Sequence, residues 1–538
     1  MAALTEMRFS GWGVDAEAGE LSGHVIDWLE RRFGRSLAPR QLAPDASEVR
    51  LSKSRLSTRA QHKLASCLGT ANVRTDHQTR LTHSAGKSYP DLLAFRTTVK
   101  LAAPDAVVYP RDESDVRAVL KICRQQGIAV VPFGGGTSVV GGVTPLRGDF
   151  DSVIALDLGR MRQLLSLDAD SRIGSFAAGL RGPELEHLLR ARGFTLGHFP
   201  QSFEYSTVGG WVATRSAGQA STGYGRIDEK LLGVRLVAPA GELNLSARPA
   251  SAAGPDLRAV IAGSEGALGV ITEATLEVHP APQATRYEAL MLPSFAVAAD
   301  ALRSLEQAGA AADVSRASDE NETEMGLAFA GIDGTKRKLF EGYLRGRGAA
   351  LGALLILGWE GASGTIEPRR RAALAVLKQH GAVGLGAGAG RTWAKSRFST
   401  PYLRDHLLER AVMVETLETS TTWSNLMRLY RGVEESLTGH APIVGCHISH
   451  LYQSGASLYF TFVAQQDESD PLGQWEAAKR EACDAIIAHG GTITHHHAIG
   501  IDHRRYLEAE DGSVGVAVLR AIKKSLDPQG LMNPGKLL

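Results

Sequence analysis

At 538 residues the chain is longer than one ordinary hydrophobic core supports, so two or more domains are expected. Its composition, 43% hydrophobic and 22% charged with net charge +1, is that of a soluble globular protein and points away from nucleic-acid or polyanionic partners. Four scattered cysteines (Cys67, Cys123, Cys446, Cys483) form no C-x-x-C pair, which argues against a disulfide framework or zinc ribbon and fits a reducing compartment.

The N-terminus, MAALTEMRFSGWG, lacks the apolar region of a signal peptide. The most apolar run, Ala349 to Trp359, is shorter than the roughly 20 residues that span a bilayer and reads as a buried strand. The terminal Lys-Leu-Leu is not a peroxisomal address. A cytoplasmic location is expected, with peripheral contact to a membrane left open.

Residues 1–100 read as a partly irregular lead, with an amphipathic helix from His24 to Phe33 and a polar, basic run to Arg80. Leu81 to Ser88 superficially resembles a phosphate loop but lacks its first glycine and the preceding strand. From Pro104 an α/β pattern starts. A strand at Val107–Val108 is followed by a helix from Arg111 to Gln126, with Val116, Val119, Leu120 and Cys123 on one face and Gly127 as its cap. A strand from Ile128 to Val131 then enters Pro132-Phe133-Gly134-Gly135-Gly136-Thr137-Ser138. Glycines let successive N–H groups converge on an anion, so this loop suits a diphosphate; a tight turn between strands is the plain alternative. The spacing is neither G-x-G-x-x-G nor G-x-x-x-x-G-K-[ST]. Strands at Val153–Leu158 and Ile173–Ala178 follow, then a helix from Gly182 to Arg192 with proline near its start.

Two more glycine- and hydroxyl-rich regions lie at Gln201 to Gly225 and Gly263 to Ile271, the latter leading into a strand from Glu273 to Val278. Three such loops, each read as ending a strand, suggest one extended ligand lying across them. Pro280-Ala281-Pro282 marks a boundary. Residues 283–500 then read as an α+β second domain, with strands at Ala353–Trp359, Ala411–Thr416 and Ser457–Val463, and residues 501–538 as a C-terminal segment ending in a turn-rich tail from Leu526.

With these residues in view, the chain resembles the vanillyl-alcohol-oxidase-type flavoproteins, and within them the alkylglycerone-phosphate synthase family. The resemblance is carried by the first glycine loop, Ser206-Thr207-Val208-Gly209-Gly210, Gly263 to Thr272 and Asn533-Pro534-Gly535-Lys536. It is carried also by Phe9 to Gly13, Thr195 to Gly210, Pro401 to Asp405, Ala456 to Phe460 and His495-His496-His497. It implies an α+β architecture: a two-part FAD-binding domain at 101–282 and a cap domain at 283–500 that covers the flavin, with the C-terminal segment returning to the flavin site.

The implied FAD is noncovalent, with no link through His83 or Cys123. Pro132, Phe133, Gly134, Gly135, Gly136, Thr137 and Ser138 would hold the diphosphate. Gln201, Ser202, Ser206, Thr207, Gly210, Thr214, Arg215 and Ser216 would line the ribityl and diphosphate path, and Glu265, Gly269, Val270 and Ile271 the adenine half.

Three consecutive histidines flanked by apolar residues suit proton transfer beside a flavin. The Thr492-Ile493-Thr494 approach reads as a strand, placing His495 and His497 on one face and His496 on the other. Tyr459, between Leu458 and Phe460, reads as core from the sequence alone; the resemblance makes it an acid/base. The resemblance also makes Arg404 a clamp for a substrate anion, Arg316 a neighbour of the flavin and His198 a histidine of the first-domain loop.

The implied reaction exchanges the acyl group of acyl-dihydroxyacetone phosphate for a fatty alcohol through a flavin N5 adduct, with no net redox change. The alternative is FAD-dependent oxidation of a 2-hydroxy acid. It is prompted by Cys446-His447-Ile448-Ser449-His450, which departs from the synthase pattern. No metal is expected, although His447 and His496 offer two imidazoles to a zinc-like ion. A small-molecule or lipid substrate, no nucleic acid, no transmembrane segment and a homodimer complete the expectation.

Overall fold

The computed structural model describes residues 6–17, 19–96 and 100–538, so the first five residues of the stretch read as signal-free lie outside the described residues. The fold is α+β. Its first sheet has the order Val73–Arg74, Ala106–Val108, Ser152–Asp157, Ile128–Phe133, the last three parallel. Ile128–Phe133 is an unbroken apolar run because it is covered on both sides, as parallel strands are. Its crossover helix, Glu113–Gln126, starts where the Asp112 side chain accepts the Asp115 N–H (3.0 Å) and stops at Gly127, whose φ of 63° is left-handed. The lead is more ordered than its polarity suggests. Val73–Arg74 joins this sheet, and Ala60, Leu64 and Leu68 of helix Thr58–Leu68 enter the core beneath it.

A second, antiparallel sheet runs Leu164–Asp168, Ile173–Ala177, Val270–Glu277, Leu231–Ala238, Gly241–Leu245. It shares one hydrophobic core with the first sheet. The other large core belongs to a seven-stranded antiparallel sheet: Val383–Gly386, Ala284–Leu292, Ala353–Gly361, Val314–Ser318, Ile443–Tyr452, Gly455–Gln465, Val412–Thr422. Its register sets Ser318 beside His447, His447 beside Tyr459, and Tyr459 beside Glu418. Directly paired residues point to the same face, so three strands present His447, Tyr459 and Glu418 in one row, with Arg316 two residues from Ser318 on that face.

Two of the three glycine loops do not end strands as expected. Ser206 to Gly210 forms the start of helix Val208–Thr214, with Thr207 capping it by accepting the Gly210 N–H. Gly263 to Gly269 joins helix Leu257–Ile261 to the start of strand Val270–Glu277. The C-terminal segment contains helix Leu507–Leu526 before its turn-rich end. That end lies alongside Ile128–Phe133, with Val130 N–H donating to Leu531 O (2.9 Å) and Asn533 N–H to Val130 O (2.8 Å). Among the described residues no helix is long and apolar enough to cross a membrane.

Candidate functional site

One cavity of about 420 Å³ runs from the glycine loops to the face of the seven-stranded sheet. At its first end lie Pro132, Phe133 and Gly134 to Ser138, opposite Gln201, Ser202, Ser206, Thr207, Gly210, Thr214 and Ser216, with Glu265, Gly269 and Ile271 beside them. The first two loops meet so closely that only glycine fits. A Cβ on Gly135 would stand 2.0 Å from Tyr205 O, and one on Gly134 2.4 Å from Thr207 Oγ1. Among the described residues, the N–H groups of Gly135 to Ser138 donate to no protein acceptor. Backbone donors left free in a glycine turn are an anion nest, so the residues present fit a dinucleotide diphosphate.

The loop is braced from behind. Lys87 N–H donates to Ser138 O (2.6 Å), and Lys87 Nζ holds Arg8 O and Phe9 O (2.7 and 3.0 Å). Asn533 Nδ2 donates to Gly142 O (3.1 Å) and Glu265 O (2.6 Å), tying the first and third loops to the C-terminal tail.

At the other end stand Arg316, Arg404, His447, His450, Tyr459, His496 and His497. The three histidines are not on a strand. Their backbone turns around the buried Glu418 carboxylate, which accepts the N–H groups of His495, His496 (3.1 Å) and His497 (2.7 Å) and the Thr494 hydroxyl (2.6 Å). Burial opposes ionisation of Glu418, but the donors that converge on it, the Thr494 hydroxyl among them, outweigh it and hold the carboxyl well below its usual range. Burial pushes the imidazoles of His496 and His497 down, that of His497 to about 3, so both stand as neutral bases. Burial pushes the Tyr459 phenol up to about 12, so it stays protonated. The Tyr459 ring lies 4.8 Å from that of His447, 5.5 Å from His497 and 6.2 Å from His496. His447 is held in turn by Glu322 (2.9 Å), which also takes Arg316 Nη2 (2.9 Å).

Four candidates do not line the cavity. His198 is buried behind the second loop, 3.1 Å from Ser216 Oγ and edge-on to Trp211. Arg215, at φ 51°, caps its helix and donates to Ala262 O and Ala259 O, so it joins the second and third loops. Val270 is core, and His495 sits one layer behind His496. Glu265 does reach the cavity, but its carboxylate is committed to the N–H groups of Ile499 and Gly500 (2.8 and 2.7 Å).

Arg404 is closer to the glycine loop than its place in the second half of the chain suggests, because its Nη1 donates to Lys87 O (2.7 Å). His447 Nδ1 is engaged by Glu322 and Arg316, and the three imidazoles that converge are His450, His495 and His496. Cys123 is packed in the core, and His83 is paired with Asp157 (2.8 Å). The sequence reading missed Glu418 and Glu322 entirely. Lys87 lay within a noted motif whose phosphate-loop reading was set aside.

The FAD binding domain family matches residues 104–245, and the family of FAD linked oxidases, C-terminal domain, matches residues 281–537. An alkyldihydroxyacetonephosphate synthase from Trypanosoma brucei brucei is 35% identical over 494 residues, covering 88% of this chain and 80% of that protein. The chain belongs to the alkyldihydroxyacetonephosphate synthase family. A second synthase of this family, from Dictyostelium discoideum, is 34% identical over 87% of this chain and 78% of its own length. A solved alkyldihydroxyacetonephosphate synthase superposes with a TM-score of 0.84 at 27% identity, covering 99% of this chain and 98% of the other. The family is one of FAD-dependent enzymes, and FAD is the cofactor of this chain.

Proposed function

We propose that the chain exchanges the acyl group of acyl-dihydroxyacetone phosphate for a fatty alcohol, forming the ether bond of an alkyl lipid. The observation that carries this reading is the single cavity in which the glycine cradle faces Tyr459, His496 and His497. Gly134 to Ser138 would hold the FAD diphosphate, and Thr207, Thr214 and Ser216 would line the path toward the flavin. Bound FAD supplies an electron-accepting and electron-returning ring, so that the exchange has no net redox change.

The chain's own groups do the rest. A neutral His496 or His497 takes the proton from the substrate carbon and gives it back once the ether bond has formed, while Tyr459 gives a proton to the departing carboxylate oxygen and recovers one from the fatty alcohol as it adds. Arg404, whose Nε has no protein partner among the described residues, takes the substrate phosphate. Met325, Phe329, Leu403, Leu407, Val414 and Val463 line the same cavity and form an apolar arm for the fatty chain.

In this reading residues 1–100 are a lead, 101–282 the FAD-binding domain, 283–500 the cap and 501–538 the returning segment; the family match that begins at residue 281 supports the main division. A cytoplasmic homodimer in peripheral contact with a membrane completes it, to be checked by light scattering and vesicle sedimentation. The deciding assay supplies acyl-dihydroxyacetone phosphate and fatty alcohol anaerobically, without an electron acceptor. Ether product is expected. Persistent flavin bleaching by a 2-hydroxy acid, with no ether formed, would instead make it a dehydrogenase.

A further inference from the structure

The strand Ile443–Tyr452 carries a feature that proton transfer does not require. Ile448 pairs with Leu458 and Leu451 with Ala456, so Ser449 and His450 together oppose the single residue Ser457. Such a bulge re-aims a side chain. Alternation from His447 would turn His450 to the opposite face; with the bulge, both histidines reach the cavity. There His450 meets His495 and His496, and one ring nitrogen from each lies within 4.8 Å of the others.

We propose that His450, His495 and His496 form a binding site for a divalent transition ion of the zinc type, facing the cavity, and that the bound ion competes with the substrate for that cavity. Three observations support the site. Ring centroids are 5.1, 5.5 and 5.1 Å apart, and imidazoles bound at about 2.0–2.1 Å to one tetrahedral ion stand about 5 Å apart. His450 is 4% exposed, and its Nδ1 has no hydrogen-bond partner among the described residues. A buried imidazole nitrogen without a partner is costly, and a metal bond would satisfy it. Finally, His495 has an orienting partner on its far side. Its Nε2 lies 2.6 Å from Tyr452 Oη, and with the Nε2 proton given to that oxygen, Nδ1 is left with its lone pair, 2.9 Å from His496 Nδ1.

An all-imidazole set selects zinc, cobalt, nickel or copper over magnesium or calcium. Glu418, 3.5 Å from His496 Nδ1, supplies negative charge beside the ion, partly offset by Arg226, which bonds Tyr452. With three protein ligands the fourth position opens to the cavity, so the ion and the substrate exclude one another. This consequence rests on the synthase reading; the binding itself does not.

The test titrates the flavin-loaded protein with ZnCl2 in chelator-free buffer, by calorimetry and by metal analysis after dialysis, beside His450→Gln and a surface control, His440→Gln. The parent and the control are expected to bind zinc tightly, and His450→Gln to bind it about 10- to 100-fold more weakly with FAD content unchanged. MgCl2 should give no signal. Each measured against its own zinc-free rate, His450→Gln should need about 10- to 100-fold more zinc than the parent for the same suppression of ether formation. Absence of tight zinc binding, or equal binding by the parent and His450→Gln, overturns the site. Zinc binding through His450 without inhibition overturns the competition. If no ether forms under any condition, the zinc titration still decides the site, and only the synthase reading fails.

Discussion

Glu418→Gln tests what the three-histidine turn depends on. The change keeps the side-chain size and removes the charge. In the parent, Oε1 accepts from Thr494 Oγ1, His496 N and His497 N, and Oε2 from His495 N. In its better orientation the glutamine keeps the first three as ordinary hydrogen bonds and turns an NH2 against the His495 N–H. A buried N–H left unpaired costs about 1–3 kcal/mol, and weakening three charge-assisted bonds adds about 1 kcal/mol each, roughly 4–6 kcal/mol in all. Global stabilities run to about 5–15 kcal/mol, so the expected result is local opening of residues 494–500 rather than unfolding.

With His496 and His497 displaced, ether formation should fall by about 100-fold or more, the usual scale for a positioned acid or base. The sign with pH follows from the direction of the shift. A carboxylate held well below its usual value stabilises fully above the ordinary pKa of about 4 and loses that contribution as pH falls through the depressed value. The stability gap between parent and Glu418→Gln should therefore be constant from about pH 5 to 9 and narrow in acid. Thermal unfolding followed by flavin fluorescence across pH, together with initial rates, measures both. Parent-like rates and melting at pH 7 would refute the reasoning.

Three further outcomes are expected. Tyr459→Phe should keep FAD and lose about 100-fold or more in turnover; near-normal rates would return Tyr459 to the core. Gly135→Val should abolish FAD retention, because its Cβ would stand 2.0 Å from Tyr205 O and force the first two loops apart; flavin absorbance after gel filtration reads this directly. Arg404→Lys should lose about 10- to 150-fold in kcat/KM, the equivalent of roughly 1.5–3 kcal/mol for a charge-assisted contact. Flavin loss before substrate loss would instead make the Arg404 bond to Lys87 O a brace for the glycine loop.

The first half of the cavity was legible where the signals are local. An apolar run, a proline and three glycines mark a strand entering a close-approach loop, and Asp112 and Gly127 bracket the crossover helix. The second loop was misplaced because Gly209 and Gly210 have poor helix propensity; burial of Trp211 and the Thr207 cap override it. The histidine run misled for a different reason. Thr492-Ile493-Thr494 has strand composition, but its neighbours' N–H groups are claimed by a carboxylate 77 residues earlier in the chain, and no local pattern announces a partner at that distance. Glu322 and Glu418 were unreadable on the same ground.

What places the candidate groups of the opposite wall is sheet register. His447, Tyr459 and Glu418 share a face only because three antiparallel strands hold them in the same row, and a one-residue slip would turn each to the other side. Nothing in Leu458-Tyr459-Phe460 distinguishes it from any core strand; its chemistry comes from what the register sets beside it. The bulge at Ser449–His450 is the one departure from that register between these two strands. It adds a second kind of control, since His447 reaches the cavity by alternation and His450 by breaking it. The glycine cradle therefore depends on residues that have no side chain, whereas the opposite wall depends on which residue lies opposite which. Substitutions in the first act at the substituted residue, and insertions or deletions in the hairpin of the second displace every group on its face.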